Sequence, residues 1–223
     1  MPRAHFLRVE TWVFDLDNTL YAPTIRLFDQ IEARMTAYVS RSLGVDDAEA
    51  ARLRGQYWRT HGTTLAGLMA EHGLDPDPYL AEVHDIDLGQ VAPDAGLLAA
   101  ITALPGRKIV YTNGSRAHAR RVTAALGLST AFDALYGFED AGYLAKPRPD
   151  AFAGVFARDG LDPAAAAMFE DDPRNLEVPH RLGMRTVLVG PAPAAAPGAT
   201  PPANPAHVHH RTDDLADFLG RLA

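Results

Sequence analysis

Asp15 and Asp17 stand two residues apart, directly after the apolar run Trp12-Val13-Phe14. In extended backbone their side chains leave on one side, while Leu16 points to the other. Two carboxylates so placed repel each other and ionise together comfortably only beside a cation. An oxygen-rich cluster of this kind suits Mg²⁺, which keeps several waters and uses few carboxylates. The plainer alternative is a polar turn where a strand ends. A second acidic run, Glu170-Asp171-Asp172, closes another apolar stretch and is either solvated or metal-bound. A third stretch ends at Thr112-Asn113-Gly114, with Ser115 placed to cap a following helix. Hydroxyl, amide and backbone N–H groups gathered at a helix N-terminus form a phosphate cradle. Lys146 precedes Pro147; a lone lysine is ordinarily a surface charge, but here it would neutralise both an anionic ligand and the acids.

Such residues need a rigid frame, and the pattern around them supplies one. Short β-rich runs at 108–114, 131–138, 165–171 and 185–190 alternate with stretches of helical spacing. Alternation of this kind predicts a parallel sheet flanked by helices, and the run at 11–17 adds a strand of the same type. Ligands bind such sheets beyond the carboxyl ends of the strands, and the three polar groups all sit at those ends. Residues 23 to about 84 carry helical patterns and no convincing strand. The expected fold class is therefore α/β, a Rossmann-like parallel sheet core with a small all-helical cap domain inserted after the first strand. Its core domain comprises residues 1–21 and 91–223, and its cap 22–90. The Pro- and Ala-rich segment at 191–205 reads as irregular surface chain. After it come a short strand, a turn and a closing helix. His207, His209 and His210 fall there, in a strand or loop without a carboxylate partner, and are read as surface residues rather than metal ligands.

Composition excludes several classes. A net charge of -7 offers no attraction to a nucleic acid polymer or an anionic membrane. Without cysteine there is neither a disulfide nor a thiolate metal site. The N-terminal segment lacks the pattern of a secretory signal, and no apolar stretch is long enough to span a bilayer. A cytoplasmic protein acting on a small molecule is expected.

In this order, "DLDNTL" (15–20), "TNG" (112–114), "KP" (146–147) and "EDDPRN" (170–175) resemble the haloacid dehalogenase superfamily of aspartyl-nucleophile phosphohydrolases. The resemblance implies that Asp15 attacks phosphorus and that Asp17 acts as general acid and then general base. It implies Mg²⁺ held by the Asp15 carboxylate, the Asp17 backbone carbonyl and Asp171, with Glu170 or Asp172 beside it. It further implies that Thr112, Asn113 and Gly114 bind the phosphoryl group, that Lys146 offsets charge on Asp15, and that Asn175 supports the loop bearing Asp171. Dehalogenases of the superfamily attack carbon and lack an acid two residues after the nucleophile, so Asp17 points to phosphate chemistry.

The segments "HGTTLAGL" (61–68) and "VHDID" (83–87), with Tyr21 after the first motif, resemble the pyrimidine 5′-nucleotidase family. That resemblance implies hydrolysis of nucleoside 5′-monophosphates such as UMP and CMP. Tyr57, Trp58, His61 and Thr63 then either line a base and ribose pocket or pack the cap helices. Asp85 and Asp87 are read as hinge residues. A sugar-phosphate or phosphoglycolate phosphatase, or a phosphomutase, on the same core is the alternative, and a catalytically silent binding protein a more remote one.

Overall fold

In the computed structural model, which describes residues 2–192 and 203–222, the first apolar run forms strand β1 (Thr11–Phe14), buried at every position. A strand buried on both faces belongs at the centre of a parallel sheet. The other strands are β2 (Arg107–Tyr111), β3 (Ala134–Tyr136), β4 (Ala166–Glu170), β5 (Arg185–Val189) and β6 (His210–Thr212). They pair in the order β3-β2-β1-β4-β5-β6, and every pair is parallel. The α/β fold with helices around a parallel sheet is thus the one the alternating pattern predicts.

Phe14 lies level with Val110 on β2 and Phe169 on β4. One step further along, Asp15, Tyr111 and Glu170 come level, and Asp15 N–H donates to the Phe169 carbonyl at 2.9 Å. The chain runs outward from β1 to β2 and β3, then returns to the other side of β1 with β4. Strand order therefore reverses at β1 and β4, the place where such sheets open a binding crevice. Trp12 and Phe14 enter the apolar layer on one face, with Phe14 stacked on Phe169 at 4.8 Å; Val13 enters the layer on the other.

Between β1 and β2 the chain forms α1 (Leu27–Leu43), α2 (Asp47–His61), α3 (Thr64–His72), α4 (Pro76–Val83) and α5 (Ala95–Ala103). Their boundaries are written locally. Asp46, Thr63 and Asp75 cap N-termini through their side chains, and Gly44 and Gly73 end α1 and α3 in left-handed conformation. Helices α1 to α4 share an apolar cluster of their own, completed by Phe138 and Ala145 from the loops after β3. Gly67 makes the α2–α3 contact possible: a Cβ there would collide with the Tyr57 ring. The segment returning from α4 is stitched to α1 by Gln30, whose side chain exchanges two hydrogen bonds with the Asp87 backbone.

Helices α6 (Arg116–Ala125), α7 (Pro149–Asp159), α8 (Glu177–Arg181) and α9 (Leu215–Gly220) complete the described chain. No helix among the described residues is long and apolar enough to cross a membrane. Residues 193–202, most of the segment expected to be irregular, lie outside the described residues. His210 opens β6, whereas His207 and His209 precede it; none of the three joins a metal-capable group among the described residues.

Candidate active site

Lys146 is the hub of the site. Its ammonium, 1% exposed, donates to Asp15 Oδ1 at 2.7 Å, to Glu170 Oε1 at 2.7 Å and to the Tyr111 carbonyl at 3.1 Å. All three protons are thereby used. Burial works against its charge, but the Asp15 and Glu170 carboxylates outweigh that and hold the amine above its ordinary value. The loop carrying Lys146 is fixed from β2 by Asn113, whose amide accepts from Lys146 N at 2.8 Å and donates to Lys146 O at 3.2 Å. Gly62, at the end of α2, touches the same loop: a Cβ there would stand 3.2 Å from Lys146 O, and its φ is +88°.

Asp15, Glu170 and Asp171 each offer a carboxylate oxygen, and these oxygens lie within 4.8 Å of one another. Three acids face one ammonium, leaving negative charge unmet. Burial, opposed by Lys146 and reinforced by Glu170, pushes the Asp15 carboxyl up to about 7. Burial and the adjoining Glu170 and Asp15 push Asp171 up to about 9. A small cluster of hard oxygen donors with excess negative charge fits a divalent cation such as Mg²⁺. Glu170 is the acid most fully engaged by the protein itself, since Asn175 Nδ2 and Asp172 N also donate to it. Asp172 is turned away: it caps the following turn and forms an ion pair with Arg174, so it stands outside the acidic trio.

Asp17 occupies a different environment from Asp15. The chain turns immediately after it, with Asn18 in the left-handed region (φ 60°) that asparagine tolerates. Asp17 Oδ1 accepts from Tyr21 Oη at 2.7 Å and from His118 Nε2 at 2.8 Å. Burial pushes this carboxyl up, but His118 and Tyr21 outweigh it and hold it below the usual carboxylate range. The His118 ring stacks on His84 at 4.4 Å, and burial drives His84 down to about 3.

Thr112 is buried at the end of β2, where its Oγ1 accepts from Gly114 N at 2.9 Å. Ser115 caps α6 as its position predicts, accepting from His118 N. Thr112, Asn113 and Gly114 all line one cavity of about 500 Å³ with Asp15, Asp17 and Lys146. That volume is in the range of small-molecule sites. Over the acids, the cap contributes a roof from α1, α2 and α4 that joins apolar side chains, among them Phe28, Ile31, Met35 and Leu80, to the paired Glu32 and Arg54. Trp58 and Thr63 line it too, and the Arg174 guanidinium lies 3.6 Å above the Trp58 ring.

The cap residues expected at the pocket divide. Tyr57 is 1% exposed, bonded to His72 and packed in the cap core, and it does not line the cavity. His61 pairs with Glu71 at 2.8 Å and is likewise absent from the lining. Residues adjacent on a helix point about 100° apart, so the face that buries Tyr57 turns Trp58 to the cavity. Asp85 and Asp87 are exposed on the returning segment, away from the acidic trio. Sequence reasoning missed His118, which lies 101 residues from Asp17 within an ordinary helical pattern. His84 sits inside the quoted "VHDID" segment, which was the only available signal for it.

A family model described as haloacid dehalogenase-like hydrolase matches residues 9–183. Phosphate metabolism protein 8 of Saccharomyces cerevisiae is 27% identical over 195 residues, which cover 80% of this chain. The match spans 61% of that relative's own length. A HAD phosphatase from Thermococcus onnurineus has a similar structure, with a TM-score of 0.60 at 16% identity over 96% of this chain and 98% of that one. YfnB of Bacillus subtilis, described as a HAD-hydrolase bound to magnesium, gives a TM-score of 0.58 at 18% identity over 96% and 99%. The L-2-haloacid dehalogenase of Xanthobacter autotrophicus with chloropropionic acid covalently bound gives 0.54 at 17% over 95% and 97%. These structural likenesses concern the fold.

Proposed function

The chain belongs to the haloacid dehalogenase-like hydrolase family, and from that premise we propose that it is a Mg²⁺-dependent phosphomonoesterase acting on nucleoside 5′-monophosphates, UMP and CMP foremost, in the cytoplasm. The observation that carries the reading is the paired-acid geometry. Asp15 faces the cavity with Lys146, Glu170 and Asp171, while Asp17, two residues on, is held apart by Tyr21 and His118. Two acids with separate partners can take separate roles in one displacement.

Asp15 supplies the attacking oxygen: a bond forms from its carboxylate to phosphorus as the ester P–O bond breaks. The departing oxygen takes a proton from Asp17. Water then attacks the aspartyl-phosphate, Asp17 takes up its proton, and phosphate leaves with Asp15 restored. Thr112 and Asn113, which line the same cavity, would bind the phosphoryl oxygens, and Lys146, bonded to Asp15, would keep it oriented and offset charge. Asp15, Asp171 and the Asp17 carbonyl, with Glu170 adjoining, would hold Mg²⁺. The ion, when bound, supplies the charge neutralisation that lets a carboxylate approach a phosphate dianion.

Nucleotide preference rests on the cap resemblance and on a roof that joins apolar side chains to a half-exposed indole, suited to a base. The name of the yeast relative links that protein to phosphate metabolism, which supports the phosphatase reading. Phosphate release across UMP, CMP, purine nucleotides, sugar phosphates and phosphoglycolate tests both levels. UMP and CMP should be turned over best. Release from sugar phosphates with none from UMP or CMP would contradict the nucleotide reading, and release from no phosphomonoester would contradict the phosphatase itself.

A further inference from the structure

We propose that His118 is the positioning residue for Asp17: its Nε2–H fixes one carboxylate oxygen and so presents the other to the leaving-group oxygen. This rests on the phosphomonoesterase reading and adds to it a residue outside the motifs that define the site.

Asp17 follows a strand but belongs to a turn, and its short side chain can rotate about two bonds. Proton transfer needs its oxygen within about 2.6–3.2 Å of the leaving atom, which a freely rotating carboxylate satisfies only part of the time. Oδ1 is taken by His118 and Tyr21, whereas no described residue donates to Oδ2, although Asp17 lines the cavity.

The imidazole is itself held on several sides. His118 is 1% exposed and sits in the first turn of α6, where its N–H is bonded to Ser115 Oγ at 3.1 Å. One ring face stacks on His84, whose Nδ1 lies 2.9 Å from the Leu80 carbonyl. Gly114 presses on its edge: a Cβ at that position would stand 3.2 Å from His118 Cδ2. Nδ1 is buried with no partner, so Asp17 is the only side chain the ring bonds among the described residues. Oδ1 is the oxygen that both Tyr21 Oη and His118 Nε2 face, so Nε2 is the nitrogen that carries the proton between ring and carboxylate, and the proton that the leaving oxygen takes is borne on Oδ2. A fully buried polar ring with a single polar partner is best explained by that partner.

The test separates positioning from folding by varying the leaving group. An alkyl phosphomonoester (UMP, or glycerol phosphate if UMP is not turned over) expels a basic alkoxide that must be protonated. In 4-nitrophenyl phosphate the departing oxyanion is stable unprotonated. The parameter kcat/KM covers the steps up to leaving-group departure and excludes hydrolysis of the aspartyl-phosphate. His118→Leu should lower kcat/KM for the alkyl ester by about 10- to 100-fold, the lower part of what general acid catalysis contributes, and for the aryl ester by several-fold less. His118→Asn, whose amide is too short to reach Oδ1, should do the same and serves if the leucine variant does not fold. His118→Gln, which keeps a donor near the Nε2 position, should restore most of the loss. Equal losses on both esters, no loss on either, or glutamine behaving like leucine would overturn the proposal. A wild-type protein inactive on every phosphomonoester would instead overturn the reading beneath it.

Discussion

At the floor of the cavity, polar side chains from strand ends and the loops beyond them hold one another. Lys146 is bonded to Asp15, Glu170 and the Tyr111 carbonyl, and Asn113 fixes the Lys146 backbone. Across the roof apolar side chains from the cap predominate, with the paired Glu32 and Arg54 and the hydroxyls of Thr63 and Thr64 set among them. A buried polar network tolerates little change, because removing one member leaves another charged and unpaired. An apolar lining can be altered residue by residue with the rest intact. On the proposed function, chemistry belongs to the floor and choice of substrate to the roof.

The sharpest way to break that comparison is at the hub. Lys146→Met strands Asp15 and Glu170 and should cost about 3–5 kcal/mol in urea unfolding without metal, with phosphatase activity lost. A milder loss would mean the floor is more forgiving than its bonding suggests. Next in size is the metal. Mg²⁺ at 100 times its dissociation constant should stabilise the protein by about 2.7 kcal/mol, read as a raised Tm. Chelation should reverse that gain, and Asp171→Asn should remove most of it.

Gly67→Ala perturbs the roof alone, driving a methyl into the Tyr57 ring at a cost of about 1–3 kcal/mol. Stabilisation by Mg²⁺ should survive it, and loss of that response would erase the distinction between the two regions. Smallest near neutral pH, and growing as the pH falls, is an effect at their border, where His84 meets His118. His84 is neutral in the folded state, driven from 6.5 to about 3. Below about pH 6.5 the unfolded chain therefore binds a proton that the folded chain refuses, and stability falls by ~1.4 kcal/mol per pH unit towards pH 3. His84→Gln should flatten that acid limb, as followed by urea midpoints at a series of pH values.

The floor was far more legible in the sequence than the roof. Asp15, Thr112 and Glu170 adjoin strands, and a strand end is marked by the place where an apolar run stops. Parallel pairing then brings such ends together with no further information needed. Lys146 and Asp171 sit in loops directly beside them. The roof depends on the rotational phase of short helices, and the weakly amphipathic α2 left Tyr57 and Trp58 interchangeable by residue type. Contacts from distant residues decide between them: Gly67 and His72 hold Tyr57, and Arg174 lies over Trp58. His118 was hidden for another reason: Thr112 and Ser115 marked the strand end and helix start, but nothing local shows what a first-turn side chain reaches across the fold.

The central claim, that Asp15 carries the phosphoryl group, is tested most directly by trapping it. Wild-type protein with Mg²⁺ and a phosphomonoester it turns over, quenched in acid and digested, should yield the peptide containing Asp15 with one phosphoryl group attached. Asp15→Asn should yield none and lose on the order of 10⁴-fold or more in kcat. Full turnover by Asp15→Asn, or a phosphoryl group trapped on a different residue, would contradict the account.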